Sequence, residues 1–135
     1  MPTKSLKRKL RNHEVVIGSW ITIGDEIVTE IMAKQPFDFL TVDMEHSAID
    51  LSQAQKLIRV IDLSGTVPLV RVSENDPTLI KRVMDAGASG VIVPMVNTRQ
   101  DAMKAVEAVK YPPEGKRGVG LAHGIFGDGR FLDGH

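Results

Sequence analysis

The feature that most constrains this fold is an alternation, repeated four times, of a short apolar run and a longer segment with apolar residues at helical spacing. The runs are Val15 to Ile23, Phe37 to Val42, Val67 to Val72 and Gly90 to Val96. They are apolar on both faces, as the strands of a parallel sheet covered by helices are. Between them Ile27, Val28, Ile31 and Met32 recur with a helical period. So do Leu51, Ala54, Leu57, Ile58 and Ile61, then Leu79, Ile80, Val83 and Met84, and finally Ala102, Met103, Ala105, Val106 and Val109.

The punctuation agrees with the period. Asp50 with Gln53 three residues on has the form of a capping box, and Gly65 is a natural stop. Asp76-Pro77 places an N-cap before a proline at the first helical position, and Gly87 ends that helix. Thr98 caps the last helix, which stops at Tyr111-Pro112-Pro113. The 135 residues read as a single unit in which 114–135 is a Gly-rich, loop-like tail.

Two architectures accept consecutive βα units: a small doubly wound parallel sheet and a (β/α)8 barrel. Length favours the former, since a whole barrel takes about 250 residues. The polar residues favour the latter, as the first four βα units of a TIM barrel. Ligands gather at the carboxyl ends of parallel strands. Those ends carry Trp20, then Asp43, Glu45 and His46, then Arg71, Ser73 and Glu74, then Pro94, Met95 and Asn97.

Composition works by exclusion. Lys plus Arg and Asp plus Glu both number 17. A chain without basic excess lacks the phosphate-neutralising charge that dominates nucleic-acid affinity. Met1 to Arg11 is basic and amphipathic but short. No apolar run approaches the ~20 residues of a membrane span. Cysteine is absent, so thiolate chemistry and disulfides are excluded, and the expected compartment is the cytoplasm. Neither dinucleotide nor nucleoside-triphosphate glycine signatures occur. No lysine stands at a strand end, so a Schiff-base mechanism has no candidate residue.

Asp43-Met44-Glu45-His46 is the densest group. A histidine beside carboxylates can serve as a general base. The same three side-chain types can ligate a metal, or simply end a strand in solvent. Arg71 can clamp a carboxylate or developing oxyanion, or pair with Glu45 or Glu74. By its local pattern Asp85 is an ordinary solvated helix residue.

Six segments, in order, carry a resemblance. They are Ile17-Gly18-Ser19-Trp20, Phe37 through His46, Val70-Arg71-Val72 with Asn75-Asp76-Pro77, Ile80 through Gly87, Val93-Pro94-Met95-Val96, and Tyr111-Pro112-Pro113 through Arg117-Gly118-Val119-Gly120. Together they resemble the HpcH/HpaI aldolases, the class II, metal-dependent pyruvate aldolases. The resemblance implies a (β/α)8 barrel that cleaves 4-hydroxy-2-oxo acids reversibly to pyruvate and an aldehyde. It implies a divalent cation (Mg²⁺, Mn²⁺ or Co²⁺), a role in aromatic compound catabolism and a homo-oligomer, a hexamer. Citrate-synthase-like enolate condensation and a non-catalytic assembly module are the alternatives.

Carried over residue by residue, His46 is the base, Arg71 stabilises the transition state and binds substrate, and Asp85 supports the basicity of His46. Trp20 contacts substrate, and Asp43 and Glu45 support the site. Met44 stands where the family commonly has glycine, which narrows the mouth. The family's metal ligands come from later strands, so none is assignable here. The expected consequence is an N-terminal portion of a longer polypeptide, or a chain that closes its sheet by self-association, inactive alone, with its first and fourth strands as unpaired edges.

Overall fold

The computed structural model describes residues 2–120. Five helices and four strands occur among them: α1 (Pro2–Arg11), β1 (Gly18–Ile21), α2 (Glu26–Ala33), β2 (Phe39–Asp43), α3 (Leu51–Leu63), β3 (Val67–Arg71), α4 (Pro77–Asp85), β4 (Gly90–Ile92) and α5 (Arg99–Val109). Of the expected tail, 121–135 lies outside the described residues.

The strands form one parallel sheet in the order β1-β2-β3-β4. A doubly wound sheet reverses its strand order at a switch point. This sheet does not, and right-handed crossovers between successive neighbours put the helices on one face. The architecture is therefore that of the first βα units of a barrel, and the doubly wound alternative is set aside. Within the described residues β1 and β4 are each paired on one side only.

The helix caps follow the sequence. Asp25 accepts from the Val28 N–H, and the Asp50–Gln53 box closes reciprocally. Asp76 accepts from the N–H groups of Thr78 and Leu79, and Thr98 forms a second box with Asp101. Such caps satisfy donors that the first helical turn leaves free, each worth about 1 kcal/mol. The core lies between helices and sheet. Leu40, Val42, Val70 and Val72 meet Leu57, Ile58, Ile61, Ile80 and Val83, all fully buried.

Two strands are shorter than expected. Val15 and Ile17 precede β1 and Ile23 follows it, all three exposed, so pairing covers only the centre of that run. β4 ends at Ile92 rather than Val96. Pro94 has no N–H to donate, and Met95 takes a left-handed φ of 57° that turns the chain away.

The apolar stripes of α2 and α5 are also not the ones that face the core. Thr29 and Ala33 are the buried pair of α2, while Ile27 and Ile31 are 69% and 60% exposed. On α5 Ala108 is buried, and Met103 and Val106 stand exposed. Small side chains let both helices sit close to their neighbours, leaving the larger ones outside.

The basic amino-terminal stretch forms α1, a helix that composition alone did not announce. Leu6 is buried. Lys9 Nζ lies 2.6 Å from Asp38 Oδ1, and Asp38 Oδ2 accepts from the Ile17 N–H at 2.9 Å. Asp38 and Ile17 precede β2 and β1, so α1 is fastened at the amino ends of the strands, opposite the polar rim. Bonding to Lys9 and then to Ile17 holds the Asp38 carboxyl below its usual range. No described helix is long and apolar enough to cross a membrane.

Candidate active site

Alternation along each strand sends Leu40, Val42 and Val70 toward the helices, so Trp20, Thr41, Asp43, Leu69, Arg71 and Ile92 fall on the opposite face. In a closed barrel that face is the interior. The register pairs Asp43 with Arg71 directly across the β2–β3 ladder. Two opposite charges thus reach the carboxyl rim on adjacent strands.

They meet side-on. Arg71 Nε donates to Asp43 Oδ1 at 3.0 Å, and Nη2 donates to Oδ2 at 2.7 Å. Asp43 is 2% exposed. Its Oδ1 also accepts from the backbone N–H groups of Glu45 and His46, at 3.0 and 3.2 Å. The carboxylate therefore does two jobs, fixing Arg71 and folding the loop that carries the histidine. The Ser47 hydroxyl bonds back to the Asp43 carbonyl, and Ile49 N–H donates to the Ser47 oxygen at 3.1 Å. These contacts tighten the same loop.

The Arg71 guanidinium holds the Asp43 carboxyl down at about 2; desolvation opposes this and the two N–H groups assist. Asp43 in turn raises the pKa of Arg71 above its usual range. Glu45 joins the pair to His46. Its Oε2 lies 3.4 Å from Arg71 Nε, and its Oε1 lies 3.2 Å from His46 Nε2. The His46 side chain is 71% exposed. The Arg71 guanidinium carbon sits 4.4 Å from the centroid of the Trp20 ring, a cation–π stack that covers one face of the cation.

Trp20, Asp43, Glu45, His46 and Arg71 are thus assembled as one connected group. Arg71 engages Asp43 as well as Glu45; Glu74, the other expected partner, makes no ion pair with it. With Nε and Nη2 turned to Asp43, Nη1 is the part of the fork left for an incoming oxyanion.

Asp85 is not brought to this group. Its Oδ1 accepts from Arg117 Nη2 at 2.8 Å, and the chain passes so close at Gly120 that an added Cβ would lie 2.9 Å from Asp85 Oδ2. α4 ends at Asp85, and the contact it makes is with Arg117 rather than with His46. Glu45 is the carboxylate in contact with His46. Arg117, whose role sequence reasoning missed, is buried. It stacks 4.5 Å from the centroid of Tyr111 and donates through Nη1 to the Val109 carbonyl at 3.4 Å. Its only signal was its position before Gly118-Val119-Gly120.

The donors at the rim do not make a metal site by themselves. Both oxygens of Asp43 are engaged by Arg71, and among the described residues no three His, Asp or Glu side chains are placed to hold an ion.

Residues 17–126 match the HpcH/HpaI aldolase/citrate lyase family. The chain is 37% identical over 123 residues to the hydroxypyruvate/pyruvate aldolase of Roseobacter denitrificans, covering 91% of this chain and 48% of that one. A structure of an HpcH/HpaI aldolase/citrate lyase family protein from Burkholderia cenocepacia superposes with a TM-score of 0.87 at 34% identity, covering 96% of this chain and 54% of that one. The structure of the citrate synthase SbnG gives 0.79 at 35% identity, covering 84% of this chain and 46% of that one. The chain spans about half the length of the relatives it matches. By sequence, by strand order and by the first units of the barrel, this chain belongs to the HpcH/HpaI aldolase/citrate lyase family.

Proposed function

We propose that this rim is the base-and-cation half of a pyruvate aldolase site, acting in the reversible cleavage of a 4-hydroxy-2-oxo acid to pyruvate and an aldehyde. The observation that supports the reading is the continuous contact from Trp20 through Arg71, Asp43 and Glu45 to His46. His46 stands exposed at the rim with Glu45 3.2 Å from its Nε2. Its imidazole takes the proton of the substrate's 4-hydroxyl. The C3–C4 bond breaks, the hydroxyl carbon leaves as the aldehyde carbonyl, and the electron pair remains on the three-carbon fragment as the enolate of pyruvate. Arg71 meets the negative oxygen through its free edge. Its geometry is already fixed by Asp43, so little reorganisation accompanies charge development. Trp20 shields the cation from water, and Glu45 orients the base.

The divalent cation that the family implies would add charge stabilisation of the enolate, and among the described residues no three His, Asp or Glu side chains are placed to hold it. Homo-oligomerisation and a cytoplasmic location belong to the same proposal. The exposed Ile27 and Ile31 and the two sheet edges support the former.

A second reading, condensation of an enolate onto a carbonyl, is favoured by the likeness to the citrate synthase. The same base and the same arginine serve it.

The test is a chimera in which this chain replaces the matching half of the Roseobacter denitrificans enzyme. It should release pyruvate from a panel of 4-hydroxy-2-oxo acids, and His46→Ala should slow release by about 10²–10⁴-fold, the usual worth of a positioned general base. Near-normal release by the His46→Ala chimera would remove His46 from the role. Condensation without cleavage would select the second reading.

A further inference from the structure

The helix layer holds a second concave site, lined by none of the residues of the rim group. α4, α5 and the returning residues 116–118 enclose a groove of about 320 Å³, lined by Lys81, Lys104, Glu107, Lys116, Arg117 and Gly118 among others. Four of these side chains are cationic and one is anionic. Lys116 Nζ lies 3.2 Å from Glu107 Oε2, and Arg117 pairs with Asp85. Those two pairs cancel. Lys81 and Lys104 have no carboxylate at ion-pair distance among the described residues. Asp101, one turn before Lys104 on α5, is engaged by the N–H groups of Asn97 and Thr98. The Asn97 bond comes first in lowering its pKa, and the charge of Lys104 contributes least. The groove therefore carries an excess of two positive charges.

Arg117 is the fixed part of the groove wall. Its side chain is 5% exposed. Its two terminal nitrogens donate to Val109 and Asp85, but its Nε–H is buried without an acceptor. That nitrogen has essentially no solvent-accessible area, so it lies behind the groove wall rather than in it, and the bonds to Val109 and Asp85 fix the wall. The lysine stems are also shaped by the chain. A methyl placed on Gly118 would lie 3.9 Å from Lys81 Cδ, so Lys81 runs across the backbone of the returning segment.

We propose that this groove binds a phosphate-bearing dianion between Lys81 and Lys104, with Arg117 in its wall. Two uncompensated cations match a dianion, and lysine ammonium groups bind phosphate as point charges without the planar fork that carboxylates favour. None of these residues belongs to the rim group, so the inference stands or falls apart from the aldolase reading.

Calorimetric titration of the full chain at constant ionic strength tests it, with inorganic phosphate, glycerol 3-phosphate, malonate and chloride as probes. Saturable binding of the two phosphates in preference to malonate and chloride is expected. Tighter binding of glycerol 3-phosphate than of inorganic phosphate would identify an organic phosphate as the ligand; equal binding would identify the phosphate group alone. Lys81→Gln with Lys104→Gln, both on the surface, should weaken binding at least about tenfold, as loss of charge-assisted bonds does. Phosphate binding no stronger than chloride, or binding unchanged in the double lysine variant, would overturn the proposal.

Discussion

Replacing Asp43 by Asn tests the rim most sharply, because it keeps the shape and removes only the charge. In the fold the carboxyl titrates at about 2, against an ordinary value of 3.8. At about 1.4 kcal/mol per tenfold, that difference is worth about 2 kcal/mol of stability at neutral pH. The sign follows from a depressed carboxyl. The contribution is fully present above about pH 4 and is lost as pH falls through the folded value of about 2. The amide that replaces the carboxylate cannot ionise. Its oxygen still accepts from the N–H groups of Glu45 and His46, so the loop persists while Arg71 loses its main partner. Urea unfolding can be followed through Trp20, the one tryptophan of the chain, which stacks on Arg71 and so reports the same place. The variant should be about 2 kcal/mol less stable at neutral pH and should lack the wild-type fall between about pH 4 and 2. Equal stability at neutral pH, or an unchanged acid dependence, would refute the assignment of Asp43 as the charge that fixes Arg71.

Asp85→Asn should lower stability by about 2 kcal/mol, read as a lower melting temperature, because Arg117 is left buried with a weakened partner; an unchanged melting temperature would refute this. Gly115→Ala should cost about 1–3 kcal/mol, as overpacking does. Its Cβ would fall 2.1 Å from the Lys110 carbonyl oxygen, backbone that cannot step aside, so a wild-type urea midpoint would be the contrary result. Sedimentation of the isolated chain should show association that grows with concentration, because among the described residues β1 and β4 are each paired on one side only; a monomer at every concentration would count against it.

The architecture was legible where period and punctuation coincide. Asp50, Asp76 and Thr98 each announce a helix through a cap that the structure contains, because capping is a local interaction between residues three apart. The strand-end rule located Trp20, Asp43, Glu45, His46 and Arg71, since parallel strands deliver their last residues to one rim. What was not legible depends on distance. That Asp43 rather than Glu74 fixes Arg71 is decided by register across two strands. The partner of Asp85 lies 32 residues later in a segment of weak pattern. On α2 the spacing of Ile27 and Ile31 is that of a buried stripe, yet two smaller residues occupy the core side. Periodicity reports that a helix has an apolar face without saying which surface it meets.

The connected group from Trp20 to His46 draws on β1, β2, β3 and the loop after β2, and among the described residues none of its contacts comes from β4 or later. Every ladder it needs joins strands that are neighbours in sequence as well as in space. On the ribosome, where amino-terminal segments emerge first and fold in order, Arg71 is the last piece required. Once it has left the exit tunnel, Asp43 can be neutralised and the His46 loop closed while α4 is still inside the tunnel and later segments are still being synthesised. The site's charges need not wait, exposed and mutually repelling, for a barrel to close around them.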